Sequence, residues 1–183
     1  MRRTFSSAVL TLAAVISVAG CGSDDASSSS AGPAGAAGTT QACQTRSATA
    51  GASAGVSADL AVAPAVPATD AAPPCDLETS DVVVGTGTTA VAGSKASVKY
   101  VGAFYDSGEQ FDSSWSRGDD ETLPVTVGAG QVIEGFDRAV EGMQVGGRRM
   151  VVIPSDLGYG DQGQGPIPGG ATLVFVIDLV AVS

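Results

Sequence analysis

Tyr100, Phe111-Asp112-Ser113-Ser114, Gln131-Val132-Ile133-Glu134-Gly135-Phe136, Leu157-Gly158-Tyr159-Gly160 and Ala171-Thr172-Leu173-Val174-Phe175 succeed one another between residues 100 and 175. The spacing of their aromatic and aliphatic residues describes a pocket assembled from several strands and one helix. Residues 96–105 alternate as a strand does, and Asp106-Ser107-Gly108 marks a turn after them. Residues 109–114, 123–127, 148–153 and 172–182 read as further strands. An earlier strand opens at Val82-Val83-Val84, before the turn-like Gly85-Thr86-Gly87-Thr88. One helix is predicted over 132–142, where Ile133, Phe136, Val140 and Met143 recur at three- and four-residue steps and form one apolar face. Several strands with a single helix make an α+β domain. Residues 76–183 suffice for one modest core, so one domain is expected.

Composition removes whole classes of chemistry. The chain has 183 residues and no histidine, which excludes Ser-His, Cys-His and His-zinc mechanisms. Cys43 and Cys75 stand isolated, with no histidine to join them, and give no ligand cluster, so neither a metal nor a cofactor is expected. Gly128-Ala129-Gly130 follows a strand and precedes a helix, but a third glycine and a βαβ unit are missing, so these are turn residues rather than a dinucleotide site. The formal net charge is −10, which repels nucleic-acid phosphates and anionic lipid. Nucleic-acid binding is excluded as a main role.

Residues 1–20 read as a signal peptide: Arg2 and Arg3, then an apolar run from Ala8 to Ala19 that is too short to span a bilayer. Arg2-Arg3 fits either the general or the twin-arginine export route. Val18-Ala19-Gly20-Cys21 resembles a bacterial lipoprotein cleavage box, with the lipid carried on Cys21. This implies export and anchoring at the outer face of the cytoplasmic membrane or in the cell envelope. Residues 21–75 are mostly Ala, Ser, Gly, Thr and Pro, and read as a disordered tether holding residues 76–183 away from the membrane. Outside the cytoplasm Cys43 and Cys75 can pair or remain thiols. Paired, they would close a loop in the tether rather than staple the core.

The five motifs, in this order, closely resemble FKBP-type peptidyl-prolyl cis-trans isomerases over roughly the last hundred residues. The resemblance implies a twisted antiparallel β-sheet wrapped around one short α-helix, and rotation about Xaa-Pro peptide bonds as the reaction. That bond has nearly balanced isomers behind a barrier of about 18–20 kcal/mol. An apolar pocket disfavours the planar, more polar amide, and a few placed donors hold the twisted form. No covalent bond and no proton abstraction are required. Position by position, the resemblance implies Phe136 as the pocket floor and Tyr100, Phe111 and Phe175 as walls, with Val132 and Ile133 at the rim. It implies the Ile133 N–H and the Tyr159 hydroxyl as donors to substrate carbonyls, and Ile167 as the closing flap residue. Asp112 would be a polar edge contact, oriented by Tyr100 and Arg117. Implied partners are Xaa-Pro segments of unfolded or exported proteins and macrolides such as rapamycin, bound by a monomer.

Two positions depart from the family pattern. Phe136 stands where tryptophan is most frequent, and Leu123 where an aromatic side chain is usual. The segment 115–122 is longer by about two residues and acidic (Asp119, Asp120, Glu121), which biases the site toward basic substrates. The alternative readings are a proline-peptide-binding or adhesion module with little turnover, or a holdase chaperone. The flap carries no inserted chaperone domain.

Overall fold

The computed structural model describes residues 43–45, 55–118 and 120–183. The signal peptide, Cys21 and most of the expected tether lie outside the described residues. Strands β1 (Glu78–Val83), β2 (Lys95–Phe104), β3 (Gln110–Ser113), β4 (Leu123–Thr126), β5 (Arg148–Ile153) and β6 (Leu173–Val182) surround one helix, α1 (Glu134–Val140). The sheet is antiparallel throughout, in the order β1-β5-β6-β2-β3, and β4 pairs with the first half of β2. The first strand begins four residues earlier than Val82 suggests. Its polar Thr79 and Ser80 hide the alternation, and it is fixed instead by pairing with β5, Glu78 opposite Val152.

Strand alternation sends two sets of side chains to opposite faces. One face carries Val98, Tyr100, Val151, Ile153, Phe175, Ile177 and Leu179, packed against Phe136, Ala139 and Val140 of α1. The helix lies close to β5 because Gly135 has no side chain: a Cβ there would sit 2.4 Å from Ile153 Cγ2. The helix starts two residues later than the apolar periodicity suggests. Ile133 is extended (φ −58°, ψ 146°) and its carbonyl accepts from the Phe136 and Asp137 N–H groups. Phe136, Val140 and Met143 are buried as the three- and four-residue spacing predicts.

The opposite face corrects the expected domain boundary at residue 76. Met150, Val152, Val174 and Val176 are covered there by Val56, Val66 and Tyr105, so part of the segment read as tether forms a second layer. Arg148 anchors it. Its guanidinium is fully buried and donates to both Asp178 carboxylate oxygens (2.5 and 2.6 Å) and to the carbonyls of Ser57, Asp59 and Val62 (2.6, 3.0 and 3.1 Å). Farther along, the Thr69 N–H donates to Asp106 O, and the Tyr105 hydroxyl donates to Ala72 O. Cys43 and Cys75 form a disulfide, and Gln44 pairs with Pro74 beside it. Low apolar content predicts disorder only when a segment must build its own core. Residues 55–75 instead complete a surface already made by the sheet.

Candidate active site: an aromatic cup under the flap

Tyr100 comes from the middle of β2, Phe111 from β3, Phe175 from β6 and Phe136 from the first turn of α1. The sheet and helix bring these four rings together. Phe136 meets Phe175 edge-on at 5.3 Å between centroids and Tyr100 at 5.9 Å, while Phe111 meets Phe175 at 5.6 Å. Edge-to-face packing of this kind holds ring orientations as well as burying area. Gly102 of β2 makes the arrangement possible. A Cβ at that position would lie 2.8 Å from both Phe111 Cζ and Phe175 Cε1, so any side chain would push the two walls apart.

Val132 and Ile133 are half-buried and pack against the core immediately before the helix, Ile133 with extended backbone. Among the described residues nothing accepts from the Ile133 N–H, as expected for the start of a helix. The segment is held from below. The buried Asp137 carboxylate accepts from the Gly128 N–H (2.7 Å) and the Gly130 N–H (3.0 Å), both glycines having positive φ. The Gly128-Ala129-Gly130 stretch is therefore a turn pinned to the helix. Sequence reading missed Asp137; an acid in the first turn of an apolar helix, just after a glycine pair, was the available signal.

Asp112 stands at the cup edge with its acceptor capacity in use. Its Oδ2 accepts from the Tyr100 hydroxyl (2.6 Å), and its Oδ1 accepts from Arg117 Nη1 (2.8 Å) and the Ser113 N–H (2.7 Å). Arg117 also donates to the Tyr100 hydroxyl (3.0 Å). Burial works against the charged carboxylate, yet the bonds from Tyr100, Ser113 and Arg117 outweigh it and hold Asp112 below the usual carboxylate range. A carboxylate so stabilised is a poor base. Its role in this geometry is to fix the Tyr100 ring. Ser114, also missed by sequence reading, fixes the same residue from the backbone side: its Oγ accepts from the Tyr100 N–H at 2.9 Å.

Tyr159 and Ile167 belong to the segment between β5 and β6. Ile167 is buried against the aromatic cluster, and Tyr159 is half-buried beside it. Burial first, and the Asp112 charge second, raise the Tyr159 pKa above its ordinary value, so its hydroxyl stays a donor at neutral pH. The flap is folded tightly by glycine. A Cβ on Gly163 would meet Ile167 O at 2.2 Å, and one on Gly169 would meet Asp161 O at 2.0 Å. Eight of the nine residues singled out from the sequence belong to or pack against one apolar core, and Asp112 joins them through its bond to Tyr100. Leu123, half-buried, packs against the same core.

The sequence profile of the FKBP-type peptidyl-prolyl cis-trans isomerases matches residues 86–180. The chain belongs to this family. It is 53% identical over 112 residues to the FK506-binding protein of Streptomyces anulatus, an alignment covering 60% of this chain and 89% of the relative. It is 44% identical over 108 residues to a probable FK506-binding protein of Corynebacterium glutamicum, covering 59% and 88%. The crystal structure of AtFKBP13 superposes with a TM-score of 0.55 at 36% identity, covering 61% of this chain and 96% of that one. The family match begins at residue 86, so it leaves out β1 and the layer formed by residues 55–75.

Proposed function

We propose that this FKBP-type domain catalyses cis–trans rotation about Xaa-Pro bonds in polypeptides outside the cytoplasmic membrane, assisting their folding. The observation that carries the reading is the cup of Tyr100, Phe111, Phe136 and Phe175, whose rings orient one another and whose edge offers donors rather than a base. A proline ring seated on Phe136 would put its preceding amide in apolar surroundings, where the planar, charge-separated form loses hydration. The Ile133 N–H, which has no acceptor among the described residues, and the Tyr159 hydroxyl would bind the flanking carbonyls. Asp112, held by Tyr100 and Arg117, orients a wall. Macrolides such as rapamycin would compete for the same cup.

The signal-like residues 1–20 and Cys21 support export and lipid anchoring at the outer face of the membrane, and a single domain of this size supports a monomer. Exchange NMR on an Ala-Xaa-Pro peptide with substoichiometric full-length chain tests the reading. Exchange accelerated well above the uncatalysed rate and suppressed by rapamycin is expected. A folded protein that leaves exchange at the uncatalysed rate would return the domain to the class of peptide-binding modules.

A further inference from the structure

Away from the aromatic cluster, a concavity of about 580 Å³ opens between residues 69–73, the turn after β2 and the flap. That volume is within the roughly 300–1,000 Å³ of ligand-sized clefts. Its walls are Pro73, Phe104, Tyr105, Pro166 and Pro168, with main chain of the flap between them. The flap contributes to both the aromatic core and this groove. Ile167 turns inward onto the aromatic cluster, while Pro166 and Pro168 on either side of it face the groove. Phe104 links them from below: it lines the groove and meets Phe111 of the cup at 5.3 Å. The charge has one sign. Asp106 lines the groove, exposed Asp70 lies between two lining residues, and no lysine or arginine lines it. All four arginines among the described residues are paired with carboxylates elsewhere.

We propose that this groove binds an extended, apolar and basic segment of the same polypeptide whose proline occupies the cup. The inference rests on the isomerase reading and names its substrate class: unfolded chain carrying Leu- or Lys-like residues near the proline. The charge of the walls selects basic over acidic segments, and their proline and aromatic surface accepts apolar side chains without a fixed sequence. A peptide that fills both sites must run past the flap, so a tetrapeptide serves as the reference for the cup alone and a longer chain as the probe of the groove. Because residues 69–73 form one wall, a domain cut at residue 76 would lack this subsite.

The test compares three substrates of the full-length chain by exchange NMR: Ala-Leu-Pro-Phe, and the same core extended at either end by Lys-Leu-Lys-Leu-Lys-Leu or by Glu-Leu-Glu-Leu-Glu-Leu. The lysine-extended peptide should show kcat/KM about fivefold above the tetrapeptide, through KM, as expected for one or two partly exposed charge contacts. The glutamate-extended peptide should show no gain. Ala71→Trp, on an exposed position facing the groove, should abolish the gain and leave tetrapeptide turnover unchanged. Equal kcat/KM for the short and lysine-extended peptides, or a gain that survives Ala71→Trp, overturns the proposal while keeping the isomerase. Should no peptide be turned over, amide shift changes on adding the lysine-extended peptide decide separately. Shifts at Phe104, Ser107 and Gly170 keep the groove and discard the isomerase; their absence discards the groove.

Discussion

Replacing Arg148 by methionine should destabilise the domain by about 4 kcal/mol. The side chain is fully buried, and its guanidinium bonds two carboxylate oxygens of Asp178 and three carbonyls of residues 57–62. Methionine retains the apolar stem and removes every donor. Asp178, itself 5% exposed, is then a buried anion without its partner, a loss of about 3–5 kcal/mol. The three carbonyls are less costly, because they sit at the edge of the layer where water reaches them. Against a total stability of about 5–15 kcal/mol, the variant should still fold. Urea denaturation followed by tryptophan fluorescence from Trp115 measures the difference in midpoint. The double variant Arg148→Met, Asp178→Val should recover most of the loss, since valine at 178 continues the apolar run of β6. Proteolysis should cut residues 55–75 faster in the single variant than in the parent. A cost under about 1 kcal/mol, with unchanged proteolysis, would refute the claim that this pair holds the second layer.

Phe136→Leu keeps apolar volume but removes the ring edges that meet Tyr100 and Phe175. At about 0.5–1.5 kcal/mol per aromatic pair, stability should fall by about 1–3 kcal/mol, and tetrapeptide kcat/KM by roughly tenfold if each ring orients the cup. Unchanged turnover would remove Phe136 from the site. Cys75→Ala opens a loop whose ends are 32 residues apart and should cost about 3–4 kcal/mol by loop entropy, with tetrapeptide turnover by the folded variant intact; a denaturation midpoint insensitive to the substitution would count against it. Turnover should be flat between about pH 5 and 9. Asp112 has a pKa below its ordinary 3.8, so its contribution is present above that value and lost as pH falls through the lower folded one. Tyr100 and Tyr159 have pKa values above 10.0, so theirs is lost only as pH rises through the raised ones. A titration limb in kcat/KM near pH 6 or 7 would show that some other group takes part.

The aromatic cluster was legible through the resemblance of five ordered motifs, which gave Tyr100, Phe111, Phe136 and Phe175 their places, while period gave only the elements that carry them. Tyr100 lies on the alternating β2, Phe175 in an apolar strand, and Phe136 on the helical three- and four-residue repeat. What reading by period could not give was the boundary between regular and extended backbone. Val132 and Ile133 continue the apolar pattern of the helix, yet lie outside it, after a turn that Asp137 ties down. The second layer was hidden for a different reason. Main-chain carbonyls of Ser57, Asp59 and Val62 do the binding there, and carbonyls leave no trace in side-chain composition. The visible part of that device was on the other side: Asp178 interrupts Leu173–Val182, an otherwise apolar strand, and Arg148 lies opposite it in β5. A lone acid inside a buried strand requires a partner. Its partner was also the receptor for a segment that looked too plain to fold.

The Cys43–Cys75 bond also decides how this molecule would carry a mechanical load. Tension entering upstream of Cys43 passes through the disulfide to Cys75 and on to β1, by-passing residues 44–74 altogether. That stretch, pulled straight, would add roughly 100 Å of length at about 3.3–3.6 Å per residue. While the bond is intact, the length is withheld and the layer on the sheet feels no force; once it is reduced, the same pull would peel residues 57–62 from Arg148 before it reached the strands.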